Sequence, residues 1–115
     1  MAMTTAFKNL ILDAGAAVIT HIGLMDGSSE ISGGNPAYAR KAVYWGPASN
    51  GVVRPTSDLT FDVPAGATVT AWAGFTASTG GTNYGGASLT AETFAGQGQY
   101  KLLAAGTGIR VDDPT

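Results

Sequence analysis

The stretch that decides the fold is "LTFDVPAGATVTAWAGF", Leu59 to Phe75. Leu59, Phe61 and Val63 alternate with Thr60 and Asp62, which is the period of a strand with one buried face. "PAG", 64 to 66, carries the residues of a tight turn. The alternation then resumes over "TVTAWAGFTA", 68 to 77, with Val69, Ala71, Ala73 and Phe75 on one face. Trp72 falls on the other face, beside Thr70.

Working outward, the rest of the chain reads the same way. From Val18 the residues Val18, Thr20, Ile22 and Leu24 share one face, and Ile19, His21, Gly23 and Met25 the other. "DGSSEISGGNP", 26 to 36, is a polar loop. "AYARKAVYWG", 37 to 46, is strand-like and aromatic, and "PASNG", 47 to 51, is a turn. A weaker strand is expected around Ala87 to Thr90, another over Gln99 to Ala104, and a short one over Ile109 to Val111. Only the N-terminus reads as helix. Thr4 or Thr5 can cap it. Phe7, Leu10, Ile11, Ala14 and Val18 then recur at helical spacing, and Gly15 weakens the end. The spacing predicts that the Phe7/Leu10/Ile11 stripe packs onto the chain's own sheet or onto a neighbour.

The expectation is one structural domain over residues 1–115, with a helix over 5–17 and a β domain over 18–112. Its fold class is mainly β, an antiparallel sandwich or barrel-like domain with one N-terminal α-helix.

Composition narrows the chemistry. The chain has 115 residues and no cysteine, so neither a disulfide framework nor a thiolate site can form. Its net charge is -2 and its six Lys and Arg residues are scattered. No basic stripe offers a footprint for phosphates, so no nucleic-acid partner is expected. Charged residues make up 12% of the chain, against a typical ~25%. That leaves two readings: a neutral domain rich in Thr, Ser and Asn, or a surface largely covered by neighbours. No apolar run is long enough to cross a membrane as a helix, so no membrane insertion is expected. The N-terminus lacks the pattern of a signal peptide. The expectation is a protein made in a cytoplasm that stays soluble until it assembles.

Catalytic signatures are missing. "GFTASTGGTNYGGASL", 74 to 89, holds five glycines but no Gly-Lys pair, and it lies among strand-like residues rather than before a helix. A phosphate cradle needs both features; the glycines read as turns and bulges. His21 is the one histidine, and no G-x-S-x-G elbow accompanies it. Zinc would need more ligands than the chain has. "DGSSE" opens like a calcium loop and then lacks the later ligands. No catalytic residue, cofactor or metal is expected. The aromatics are the remaining candidates. Adjacent Tyr44 and Trp45 must point to opposite faces of a strand, and Trp72 points away from Val69 and Phe75. Either both faces are covered, one of them by the helix, or the rings form a partner surface or a sugar-stacking platform. The candidate interface is therefore Trp72, Thr70, Trp45, Tyr44, Phe7, Leu10 and Ile11.

Several stretches stand in fixed order: "LDAGAAVITHIGLMDG", "EISGGNPAYARKAVYWGPAS", "LTFDVPAGATVTAWAGF" and "STGGTNYGGASLTAETFAGQGQY". This order resembles a family of small phage virion proteins, usually labelled phage tail fibre or minor tail proteins. Members read as a helix, ITHxxLH, a Gly-rich loop, YARxxVxW, FxVPAGTTVTHxGFW and GGTxxGGxxL. The resemblance covers about Leu12 to Tyr100. "VPAG" alone is weak, while the ordered set is more specific. Trp72-Ala73 stands where the family more often has His or Val, and Thr76 replaces an aromatic, which marks these positions for partner-specific contacts. The resemblance implies a non-enzymatic virion structural protein on the tail side, a fibre, baseplate or tail-tip component. It would be made in the host cytoplasm, with other virion proteins and copies of itself as partners. The alternatives are a capsid decoration protein and a carbohydrate-binding module using Trp72 or Tyr84 on a host-surface glycan.

Overall fold

A computed structural model describes residues 3–110. Helix α1 (Thr5–Ala16) comes first, capped by Thr4, whose hydroxyl accepts from the Phe7 amide. Nine strands follow: β1 (His21–Asp26), β2 (Ser29–Glu30), β3 (Lys41–Ala42), β4 (Val52–Val53), β5 (Leu59–Val63), β6 (Thr68–Phe75), β7 (Asn83–Thr93), β8 (Gly98–Leu102) and β9 (Ile109–Arg110). All their pairings are antiparallel. The result is a mainly β, sandwich-like domain with one N-terminal helix. The expected Val111 end of the last strand lies outside the described residues.

The largest sheet runs β2-β1-β6-β7, with β3 sharing the β2 edge of β1. The β5/β8 and β4/β9 pairs are separate ribbons. The alternation of "LTFDV" holds as expected: Phe61 and Val63 are fully buried, Leu59 half-buried, Thr60 exposed. "PAG" turns the chain, with Gly66 in the left-handed region at φ 86°. Ile22, Leu24 and Trp72 gather with Phe61, Val63, Val69 and Leu102 in one buried cluster. A second, smaller cluster holds Leu12, Ala16 and Val53. Trp45 and Ile109 pack against both and join them.

Three expectations about elements change. The strand expected from Val18 starts at His21, because the amides of Val18 and Ile19 still bond back to Gly15 and Ala16 at the end of the helix. The strand expected over 37–46 shrinks to Lys41–Ala42. β2 occupies Met25 and Asp26 of the same β1 edge, which leaves only His21 and Ile22 to pair with β3. The weak strand at Ala87–Thr90 is in fact the longest, because β6 gives it a hairpin partner that outweighs the poor strand propensity of its glycines.

Candidate assembly surface

The helix decides where the surface lies. At about 3.6 residues per turn, residues 7, 10, 11 and 14 lie on the side opposite 12 and 16. The structure turns the Leu12/Ala16 side inward. Leu12 is 3% exposed and Ala16 7%, and both rest on Val53 of β4. Two polar side chains hold the same orientation. Asn9 Oδ1 accepts from the Gly51 amide at 3.0 Å, and Asp13 Oδ1 accepts from the Ala48 amide at 2.9 Å. The apolar stripe consequently faces solvent, with Leu10 65% exposed and Phe7, Ile11 and Val18 also open. The expected packing of this stripe on the chain's own sheet is therefore corrected. Buried Leu12 and Ala16, flanked by the two amide-to-side-chain bonds, fill the inward contacts, and Phe7, Leu10 and Ile11 are left outside.

At the C-terminal end of the helix lies a cleft of 680 Å³, bounded by Asp13 and Ala16 of α1, by Ala17, by Ile19 to His21, and by Ala42 to Pro47. Tyr44 stands at its rim, 73% exposed. Trp45 turns the other way, as adjacent residues on extended backbone must. Its indole Nε1 donates to the Ile19 carbonyl at 2.8 Å, and its ring bridges the two clusters. His21 lines the cleft with Nδ1 at 2.9 Å from Thr20 Oγ1. This leaves Phe7, Leu10, Ile11 and Tyr44 as accessible apolar groups among the expected interface residues.

Trp72 and Thr70 do not join them. Trp72 pairs in register with Leu24 and is 4% exposed within the main core. Thr70 is engaged locally, its hydroxyl donating to the Met25 carbonyl and accepting from the Gly27 amide. The expectation that Trp72 points at a partner or lies under the helix is corrected on both counts, as is its use as a sugar platform. β6 is covered on both faces, so Ala73 and Phe75, which face away from Trp72, are buried as well. The pairing of β6 with β7 also breaks register between Val69 and Ala71, so Val69 and Trp72 both reach the main cluster.

The opposite face of β6 carries a polar cluster that sequence reasoning missed. Arg40 holds Glu30 in a two-point pair, with Nε to Oε2 and Nη2 to Oε1 each at 2.9 Å. Its Nη1 donates to the carbonyls of Ala77 and Gly80, and its guanidinium lies 3.6 Å from the Phe75 ring centroid. The Tyr38 hydroxyl donates to Glu30 Oε2 at 2.7 Å and accepts from the Leu24 amide at 2.9 Å. Gly23 makes room: a Cβ there would fall 2.7 Å from both Glu30 Oε2 and the Tyr38 hydroxyl. Burial alone would raise the Glu30 carboxyl, but the bonds from Arg40 and Tyr38 outweigh it and hold the group below its ordinary range. Burial and the adjacent carboxylate push the Tyr38 phenol up. A tyrosine held protonated and a carboxylate held ionised by a fixed guanidinium make a structural clasp, which ties the 31–40 loop to the 76–82 loop.

The glycine run resolves into turns and a close approach. Gly80 and Gly81 lie in the loop before β7 with positive φ, and Gly85 takes φ 87° inside β7. A Cβ on Gly86 would overlap the backbone carbonyl of Trp72. "DGSSE" forms the β1–β2 turn, where Asp26 Oδ2 accepts from the Thr68 amide at 3.3 Å. Compared with family models, curated proteins and solved structures, the chain matches none.

Proposed function

We propose that this chain is a non-enzymatic structural protein of a bacteriophage particle, placed on the tail side as a fibre, baseplate or tail-tip component. It acts by docking on neighbouring virion subunits. The observation that carries the reading is the outward apolar stripe of α1, Phe7, Leu10 and Ile11, all exposed. A helix of this pattern usually buries its stripe. Here the inward contacts are already taken by Leu12, Ala16, Asn9 and Asp13, so covering the stripe falls to another molecule. Low charge over the chain suits a surface that ends up against neighbours. The ordered motifs that resemble tail proteins point the same way. Synthesis in the host cytoplasm and residence in the virion follow from this reading.

The test is to locate and count the chain in intact particles by cryo-electron microscopy and quantitative mass spectrometry. A few copies at the tail end agree with the proposal. Many copies over the head would replace it with capsid decoration. Leu10→Lys should leave the isolated domain folded and reduce its incorporation. Full incorporation of that variant would remove the helix face from the assembly surface.

A further inference from the structure

The two edges of the main sheet are unlike. On one side β2 and β3 are two residues each, and short edge strands are a common guard against unwanted pairing. On the other side β7 runs for eleven residues, Asn83 to Thr93. It pairs with β6 along one edge only. Among the described residues no backbone partner meets its outer edge. Ten of its eleven residues are exposed, and only Leu89 is half-buried. A strand this long with so little burial gains little within its own chain to offset the entropy of ordering it.

The usual guards are sparse on β7. It contains no Lys, Arg or Pro, and one charge, Glu92, near its end. Two irregularities interrupt it: Tyr84 and Gly85 stand opposite Gly74 alone, and Leu89, Thr90 and Ala91 stand opposite Thr70 alone, so β7 bows away from β6 at the latter three. That brings their backbone outward.

We infer that the outer edge of β7 pairs antiparallel with the same edge of a second copy of this chain, joining two main sheets into one. A second copy fits because the strand is self-complementary. In a two-fold pairing centred on Ser88, Ala87 faces Leu89, Gly86 faces Thr90, and Tyr84 faces Glu92 of the second copy. Larger side chains then meet smaller ones, and a phenol meets the carboxylate. The two Glu92 carboxylates are kept well apart, since like charges directly opposite are destabilising. The inference rests on the assembly reading only in taking the chain to act in several copies. It concerns a different surface from the helix face.

The test uses the whole chain and analytical ultracentrifugation. The unaltered protein should associate reversibly to a dimer. Ser88→Lys and Ser88→Asp each place like charges at the two-fold axis and should be monomeric, with circular dichroism and melting like the parent. An equal mixture of the two should recover the dimer. The chain has no cysteine, so Ser88→Cys supplies a single thiol. It should oxidise to a covalent dimer about ten-fold or more faster than Ser57→Cys on the exposed 56–58 segment, because pairing raises the local thiol concentration. A protein that is monomeric at every concentration, with no faster oxidation at Ser88, overturns the inference. So does a dimer that survives Ser88→Lys and is lost in Leu10→Lys, which would move self-association to the helix. Dimers lost in Ser88→Lys but a chain absent from particles would uphold the edge pairing and sink the virion reading.

Discussion

Single residues carry contributions that can be measured one at a time. Trp72 lies in the core against Leu24, so Trp72→Ala should destabilise the isolated domain by about 3–5 kcal/mol, read by chemical denaturation. Unchanged stability would mean that the indole is not where the structure puts it. The alternation of "TVTAWAGF" made the strand legible but not the side on which the tryptophan lies. Alternation tells which residues share a face, and it leaves unsaid that both faces are covered. The Glu30 clasp was equally hidden, because its members come from separate loops and the strand. Arg40→Ala leaves the Glu30 carboxylate without its two-point partner and should cost about 3 kcal/mol. The pH dependence has a definite sign. The folded state holds the Glu30 carboxyl below its unfolded value, which is about 4.3. Its contribution is therefore fully present above that value and is lost as the pH falls through the lower, folded one. Glu30→Gln should flatten the acid limb of a stability-against-pH curve; an unaltered limb would remove the clasp from the account.

Among the elements, α1 separates two roles along one helix. Leu12→Ala empties a site beside Val53 and should cost about 2–4 kcal/mol. Leu10→Ala removes an exposed group and should stay within about 0.5 kcal/mol. Equal costs for the two would mean that the helix is turned differently. The helix itself was legible from its cap and spacing, and the orientation was not. Apolar residues usually lie inside, but much of any protein surface is apolar too, so a stripe by itself names no direction. What fixes the direction is the pair of amides at Ala48 and Gly51 waiting for Asp13 and Asn9. Those partners are 35 and 42 residues away. The strands β5 and β6 were the most legible elements, since alternation and the Pro-Ala-Gly turn agree locally. β7 was the least, because its length comes from pairing with β6 and not from its own residues.

The molecule as a whole measures 48 × 25 × 23 Å, and its two clusters are unequal. The larger holds the main sheet to the β5/β8 ribbon; the smaller holds the helix to β4. Gly86 sets how closely β7 can lie on β6, so Gly86→Ala should push the hairpin apart and lower stability by about 1–3 kcal/mol, seen as a fall in melting temperature. Trp45 sits where the two clusters meet, and Trp72 sits inside the larger one. The smaller cluster has few buried apolar groups, so it should open on its own while the sheet stays closed. Hydrogen exchange would then be fast along Thr5–Ala16 and slow in β1 and β6. In a chain carrying Trp72→Phe, the fluorescence of Trp45 should change at a lower denaturant concentration than the circular dichroism of the sheet in that same chain. A bound neighbour that covers the helix would bring the two transitions together, so the gap between the two signals reads out whether the protein is free or assembled.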